Sequence, residues 1–310
     1  MNVATELVGP QQATSTQQWR IWVRQVGAIM RLEITRSLFG KRAVLNYLLA
    51  MLPVLIMLIL ALFASEIKNT KIVTDGRGNV ISQSTQIRSG PMQDPATASV
   101  VFANLFEGLI VRTVVFFGCA WIFMNLFRGD IVDRSLHYYF LSPVRREVLV
   151  CGKYASGLIS SIVLFGASTA ASLFLFYYVR GYAASSRYIF GGPGLKQILS
   201  YMGIVVLGCL GYGAFFLLIG LFFRNPIIPA LLLYGWEWLN FLLPPFLKKI
   251  SVIHYLTSLA PVPIPQGPFS IVAEPTAAVF AVPGLFIVTM AVLAVSCWRI
   301  RGMEISYGAD

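Results

Sequence analysis

Three ionisable residues, and an asparagine close to one of them, lie inside stretches of the sequence that are mainly apolar. Glu107 and Arg112 are five positions apart in one stretch, and Glu237 and Asn240 are three positions apart in another. An ionised group at the centre of a bilayer costs from about 2.5 to more than 10 kcal/mol, so it pairs with another group or lines a polar path. Two interpretations stay open for these four residues: structural pairing or placement near the membrane surface, and a role in a transport pathway.

The sequence indicates no catalytic or metal site. It contains two histidines and four cysteines, and the cysteines form neither a CxxC pair nor a disulfide framework. The phosphate-binding pattern GxxxxGK[ST] does not occur, so the chain is not expected to hydrolyse ATP by that route or to hold a cofactor of its own.

The composition indicates a membrane protein. Of the 310 residues, 57% are hydrophobic and 12% are charged, whereas an ordinary soluble domain carries about 25% charge. The net charge of +11 is scattered among the loops, as membrane topology requires, and therefore gives no reason to expect a nucleic-acid partner.

Six apolar stretches are long enough to cross a bilayer, which takes roughly 20 residues each. Because backbone groups in lipid need internal hydrogen bonds, we expect an all-α fold with six transmembrane helices. These lie in a transmembrane domain at 43–298, between an N-terminal region at 1–42 and a tail at 299–310. The predicted spans are 43–64, 99–127, 154–179, 197–223, 226–246 and 275–298.

The distribution of lysine and arginine predicts the orientation. Six spans place both termini on one side, and 14 cationic residues lie on that side against nine on the other. Cytoplasmic loops carry the excess of positive charge, so both termini are expected in the cytoplasm and the chain in the cell membrane.

The residues before the first span predict an amphipathic helix over 19–39. Tryptophan and aliphatic residues fall on one face, and Arg20, Arg24 and Arg31 fall on another. Such a helix is typical of the membrane interface, where it contacts lipids. Whether its arginine face also contacts a cytosolic partner stays open.

Two regions on the opposite side carry further structure. The loop at 65–97 contains two β-prone runs, Lys71–Thr74 and Val80–Ser82, around a glycine-rich turn, which predicts a small hairpin. The proline-rich region at 247–274 surrounds an apolar piece too short to span, so we expect a re-entrant or external helix there. An ordinary surface loop is the alternative.

The segment at 128–153, between spans 2 and 3, carries the functional argument. Its first half has helical apolar periodicity, and Ser142 and Pro143 then supply an N-cap and a first-turn proline. We therefore expect a helical elbow with a second helix from Pro143 into span 3. Its tip, with Arg145 and Arg146, faces the cytosol.

This elbow resembles the corresponding segment of the ABC-2 type permeases of ATP-binding-cassette exporters. The matching residues are an acidic pair after span 2, Asp130 and Asp133, then the turn Leu141-Ser-Pro-Val-Arg145, and then Gly152-Lys153 at the start of span 3. The amphipathic N-terminal helix, the external loop and the proline-rich region also match the family plan. The sequence departs from it in having Asp where many relatives have Glu, and Asp133 where they have small residues.

The resemblance implies that the elbow is a coupling helix that docks in a groove of a separate nucleotide-binding ATPase subunit, which binds ATP and magnesium. It also implies a homodimer, or a pair with a related permease, with a transport route near spans 2 and 5, where Glu237 and Asn240 lie. The residues expected to take part in coupling are Asp130, Asp133, Arg134, Tyr138, Ser142, Pro143, Arg145, Arg146 and Lys153.

The expected function is thus that of a permease subunit, not itself an enzyme, which exports a substrate by alternating access. Two alternatives remain. One is a permease-like scaffold or sensor that binds an ATPase without transport, and the other is an intramembrane lipid-modifying enzyme that uses Glu107, Arg112 and Glu237.

Overall fold

The computed structural model describes residues 15–40, 43–63, 69–74, 80–86, 95–132, 145–179, 182–223, 225–262 and 276–302. This part of the chain is helical apart from one two-stranded hairpin. Its elements, in chain order, are α1 (Ser15–Phe39), α2 (Ala43–Phe63), β1 (Asn69–Thr74), β2 (Val80–Gln86), α3 (Pro95–Leu105), a π-helix (Phe106–Val115), α4 (Phe116–Val132), α5 (Arg146–Val179), α6 (Tyr182–Gly191), α7 (Gly194–Phe222), α8 (Ile227–Trp238), a 3₁₀ turn (Leu239–Leu242), α9 (Pro245–Lys248), α10 (Val252–Ser258) and α11 (Ala278–Arg301).

Five helical segments in the described ranges are long and apolar enough to cross a membrane, as expected of a multi-pass membrane protein. The prediction of a helical, multi-pass membrane protein is therefore confirmed, although five long helices are found rather than six. The third segment begins at Arg146, eight residues before the predicted start of span 3 at 154. The five segments are Ala43–Leu62, Ala98–Asp130, Arg146–Tyr178, Gly194–Phe222 and Ala278–Arg301.

The predicted fifth span, 226–246, does not form one long helix. Helix α8 and the following 3₁₀ turn end at Leu242, and together they are about 26 Å long, short of the roughly 30 Å hydrocarbon core. Leu243 and Pro244 are both extended, with ψ of 143° and 153°. Each precedes a proline, and the proline ring disfavours helical backbone in the residue before it. The proline pair therefore ends the helix.

The hairpin predicted in the first loop is present. Strand β1 pairs with β2 in antiparallel fashion, with Asn69 opposite Gln86, and the register is interrupted by a bulge next to Thr74. The glycine-rich turn between the strands lies outside the described residues.

Helix α7 lies at the centre of the bundle. In its most apolar 18-residue window 67% of the residues are buried, against 17% in α11, which lies at the periphery. Close packing around α7 depends on glycine: a Cβ atom on Gly213 would lie 2.5 Å from the ring of Phe123 in α4. Small residues at such contacts let helix backbones approach one another in membranes.

This packing predicts that Gly213→Ala destabilises the protein. The added methyl group must displace the buried Phe123 ring, and overpacking of this kind costs about 1–3 kcal/mol. Gly203→Ala in the same helix is the matched control, because a Cβ there meets nothing within 4 Å. Thermal unfolding of the purified protein should show a lower melting temperature for Gly213→Ala alone. Equal melting temperatures for the two variants would contradict the packing argument.

The amphipathic N-terminal helix is present as α1, and it packs against the first turns of α5. Ile29 in α1 is buried, and a Cβ on Gly152 in α5 would lie 3.1 Å from the Ile29 side chain. Trp19 and Val23 are exposed, whereas Trp22 is partly buried. The buried stripe is therefore the one that contains Trp22, Val26 and Ile29.

The proline-rich region contains a short helix, α10, rather than only a loop. Five consecutive residues of α10, 252–256, are buried. Burial lowers the pKa of His254 in this helix, as do the charges of Lys248 and Lys249, so the imidazole is neutral at pH 7. Its Nε2 atom lies 3.0 Å from Oγ1 of Thr276, just before α11. Residues 263–275 lie outside the described part.

Candidate functional site

A buried group of charges joins three helices at the base of the 128–153 segment. Lys153, in the second turn of α5, is fully buried, and its Nζ donates hydrogen bonds to Glu33 of α1, to Asp130 Oδ2 near the end of α4 at 2.6 Å, and to the carbonyl oxygen of Leu126 at 2.8 Å. Arg36 of α1 donates to Asp130 Oδ1, also at 2.6 Å. We call Glu33, Arg36, Asp130 and Lys153 the Lys153 cluster.

The Lys153 cluster is balanced in charge and in hydrogen bonding. Two cationic and two anionic side chains sum to zero, and the three N–H donors of the ammonium group each have an acceptor. The Phe127 ring centroid lies 5.3 Å from Nζ. A buried ion pair of this kind adds little net stability, but removing one partner leaves an uncompensated charge. The cluster therefore holds α1, α4 and α5 in one arrangement.

A second set of contacts holds Arg145 and Arg146, at the tip of the segment. The guanidinium of Arg145 lies 4.7 Å from the ring centroid of Trp22 in α1. Arg146 Nη1 donates to the carbonyl oxygens of Ile300 and Arg301, at 3.1 and 3.0 Å. These are carbonyls of the last turn of α11, where the helix dipole favours a cation. The segment is thus fastened to both α1 and α11.

A surface ion pair lies beside these contacts. Arg301 Nε donates to Glu147 Oε1 at 2.6 Å, and the Arg301 side chain is 67% exposed. Exposed pairs are worth little in free energy. The pair nonetheless shows that the end of α11 lies next to the start of α5.

The residues expected to take part in coupling differ in their exposure to solvent. Arg145 is exposed, whereas Asp130 and Lys153 are buried within the chain, where they join α1, α4 and α5. Arg146 is partly buried against α11. The remaining members, Asp133, Arg134, Tyr138, Ser142 and Pro143, lie outside the described residues.

The helix expected to start at Pro143 begins at Arg146. Arg145 is not helical, and its carbonyl oxygen accepts the first bond of the helix, from the backbone N–H of Leu149 at 3.2 Å. Arg145 therefore occupies the N-cap position, where the sequence predicted Ser142.

The three arginines predicted on the polar face of α1 are exposed. Arg20, Arg24 and Arg31 all lie on the surface, away from the stripe that packs on α5. Their side chains are accessible to lipid headgroups or to another protein.

Glu107 and Arg112 form a local ion pair, at 2.9 Å between Arg112 Nη2 and Glu107 Oε1. Their five-residue spacing exceeds the i, i+4 pairs of an α-helix, but 106–115 is a π-helix, whose hydrogen bonds join residues five apart. Thr113 Oγ1 likewise donates to the carbonyl oxygen of Gly108, five residues earlier. The wider turn places the two members of each pair on the same face of the helix. Glu107 and Arg112 thus pair with each other, as the first of the two interpretations expected.

Glu237 has a different role from the ion pairing considered in the sequence. Its carboxylate accepts from the backbone N–H groups of Val252 and Ile253, at 3.1 and 2.9 Å, and from Ser251 Oγ at 2.8 Å. Glu237 thus caps the N-terminus of α10 from another helix. Arg112 Nη1 donates to the backbone carbonyl of Glu237 at 3.2 Å, which joins the π-helix to α8.

Asn240 and Glu107 complete the set of pathway candidates. Asn240 is buried, and its Oδ1 has no hydrogen-bond partner within the described ranges. Glu107 lines a mainly apolar surface pocket together with Phe106 and Tyr201. The four candidates therefore lie along the contact between the π-helix, α8 and α10, but they do not form one ion-paired group.

Sequence reasoning missed Glu33 and Arg36. Glu33 lies four residues after Ile29, in the stripe that packs on α5, and a charged residue in an apolar stripe was the available signal. Its partner Lys153 lies 120 positions away, so the pairing itself had no local signature.

Comparisons of this chain with protein-family models, with curated proteins and with solved structures found no match.

Proposed function

We propose that this chain is the permease subunit of an ABC-2 type transporter in the cell membrane, and that it exports a substrate with a separate ATPase subunit. The proposal rests first on the sequence of the 128–153 segment, from Asp130 through Leu141-Ser-Pro-Val-Arg145 to Gly152-Lys153. The anchoring of this segment, through the Lys153 cluster at its ends and through Arg145 and Arg146 at its tip, supports it. A segment that transmits the movement of an ATPase to the membrane helices must be rigid where it joins those helices.

Rigid connections of this kind are provided by the contacts of Lys153, Arg145 and Arg146. A push on the segment would be carried to α4 and α5 through the buried cluster, to α1 through Trp22 and to α11 through Arg146. In this proposal two copies of the chain form the complex, ATP and magnesium bind to the partner ATPase, and its closure drives alternating access. Membrane lipids surround the exposed faces.

The proposal includes a sixth crossing of the membrane by α8 and its 3₁₀ turn. Arg301 at the end of α11 lies beside Glu147 at the start of α5, and Arg299 lies 5.2 Å from the ring centroid of Phe222 at the end of α7. The ends of α7 and α11 thus lie on the side where α5 starts. If α11 ends on that side, it begins on the other, and the chain must cross between 223 and 276.

A short sixth crossing supports the predicted topology. It places the N-terminal α1 and the end of α11 on one side, which is the cytoplasmic side in the proposal because it carries the excess of cationic residues. The region with α9 and α10 then enters from the outside, and Glu237 fastens it to α8.

Charge reversal at the exposed tip tests the proposed coupling. When the chain is co-expressed with a candidate ATPase subunit, we expect Arg145→Glu to abolish co-purification of the ATPase and ATP-dependent transport, because the reversed charge loses the contact with Trp22 and inverts the charge that the tip presents to the partner. Arg187→Glu is the control, since Arg187 is an exposed arginine of α6 outside the segment. Unchanged ATPase binding and transport in Arg145→Glu would refute the coupling assignment. ATPase binding without any transport by the unaltered chain would favour the scaffold alternative.

A further inference from the structure

The four cysteines form two contacting pairs in the folded chain, although their spacing in the sequence indicated no pairing. The thiol of Cys151, in α5, is hydrogen-bonded to that of Cys297, in α11. The thiol of Cys119, in α4, is hydrogen-bonded in the same way to that of Cys209, in α7. All four cysteines are free. Each pair therefore holds two reduced sulfur atoms side by side.

The two pairs differ in their access to solvent. Cys119 and Cys209 are each 0% exposed, whereas Cys151 is exposed and Cys297 is partly exposed. Thiol–disulfide exchange requires a sulfur that the reagent can reach, and a cysteine buried in apolar surroundings is inert. Of the two pairs, the one formed by Cys151 and Cys297 is therefore open to a reagent dissolved in water.

The accessible pair lies near the polar ends of its two helices. Glu147 precedes Cys151 by four residues and Arg301 follows Cys297 by four, so the ion pair between Glu147 and Arg301 lies about 6 Å along the helices from the thiols. The side chains of Glu147 and Arg301 are 33% and 67% exposed, and exposed charges are not tolerated by hydrocarbon. The thiols are thus within one helical turn of a polar environment.

The same contacts keep the two thiols together. Besides the ion pair, Arg146 Nη1 donates to the carbonyl oxygens of Ile300 and Arg301, at 3.1 and 3.0 Å. Consecutive turns of α5 and α11 are therefore joined beside the cysteines. Holding two reacting groups in contact makes their reaction effectively unimolecular, which favours a bond between them over a bond to a second reagent molecule.

We propose that Cys151 and Cys297 form a reversible disulfide between α5 and α11 by exchange with a low-molecular-weight disulfide such as oxidised glutathione. The Cys151 thiolate attacks one sulfur of the reagent, whose S–S bond breaks to release one thiol and leave a mixed disulfide. Cys297 then loses its proton and attacks the Cys151 sulfur, which releases the second thiol. Two electrons and two protons pass from the cysteines to the reagent. This site does not depend on the proposed transport function.

A count of free thiols tests the proposal in the full-length chain. The folded protein is incubated with oxidised glutathione, then unfolded and alkylated with a maleimide. We expect two alkylated cysteines instead of four, a digest in which Cys151 is linked to Cys297, and four alkylated cysteines again after treatment with dithiothreitol. Because the bond closes a long loop, the oxidised protein should also melt at a higher temperature. Four thiols after oxidation, or bound glutathione without a linked peptide, would overturn the proposal.

Serine variants separate the roles of the two thiols. Cys297→Ser lacks the second thiol and should retain one glutathione on Cys151, whereas Cys151→Ser should keep its remaining thiols free, since Cys297 is less exposed. Cys209→Ala is the matched control, because it removes a thiol of the buried pair and should leave the disulfide between Cys151 and Cys297 unchanged. If Cys209→Ala does not fold, the unaltered chain provides this control, since Cys119 and Cys209 should stay reduced in it. A peptide that links Cys119 to Cys209 would show that exposure does not select the reactive pair and would overturn the assignment.

Discussion

Replacing Lys153 with methionine is expected to cause the largest loss of stability of any substitution considered for this protein. Methionine fills a similar volume but leaves Glu33 and the buried Asp130 without the ammonium group that lies between them. Removing one partner of a buried ion pair costs about 3–5 kcal/mol. The purified protein should therefore unfold at a clearly lower temperature, and little of it should be recovered from membranes.

Two further variants separate the buried charge from other causes. Lys196→Met changes the same residue type at an exposed position and should leave the melting temperature unchanged. The triple variant Glu33→Leu, Asp130→Asn and Lys153→Met removes the three buried charges together and leaves only the partly exposed Arg36. It should recover most of the loss, because a buried ion pair replaced by neutral groups is often neutral in stability. A triple variant no more stable than Lys153→Met would contradict the electrostatic explanation.

Replacing Glu237 with leucine is expected to release α10 from α8. The carboxylate accepts from two backbone N–H groups and from the hydroxyl groups of Ser251 and Tyr212, and each buried donor left without an acceptor costs about 1–3 kcal/mol. The amides of Val252 and Ile253 should then exchange with deuterium much faster than in the unaltered protein. Hydrogen–deuterium exchange followed by mass spectrometry measures this directly.

The conservative variant Glu237→Gln is the control for this experiment. Glutamine keeps one carbonyl oxygen that can accept from the same backbone groups, so exchange at Val252 and Ile253 should rise far less than in Glu237→Leu. If leucine and glutamine gave the same exchange as the unaltered protein, the carboxylate would not be the cap that holds α10.

The apolar stretches themselves could be predicted because the cost of burial in lipid is a local property of composition. Four of the six predicted spans correspond to long helices with similar bounds, and a fifth differs mainly in its earlier start at Arg146. The segment at 226–246 has the composition of a membrane span, but its backbone does not form one long helix. Pro244 and Pro245 end the helix early, and the short crossing proposed there depends on contacts elsewhere in the bundle.

The partners of the polar residues inside the spans could not be predicted from the sequence. The spacing of Glu107 and Arg112 argued against a local pair in an α-helix, and only the π geometry at 106–115 brings them together. Glu237 was identified as needing a partner, but its partners are backbone N–H groups of a helix that begins 15 residues later. Every residue except proline has a backbone N–H group, so the sequence does not show which of these groups a carboxylate will meet. This cap therefore could not be predicted.

By itself the sequence determined that this is a helical, multi-pass membrane protein, and it singled out the charged residues that lipid would not tolerate. Both conclusions depend on short stretches of chain, since transfer into a bilayer is decided helix by helix. Only the tertiary structure decided which distant groups the charged side chains meet, including Glu33 and Arg36, which the sequence did not single out. Lys153 meets Glu33 across 120 positions, Arg36 meets Asp130 across 94, and Arg112 meets the Glu237 carbonyl across 125, because packing places distant helix turns side by side.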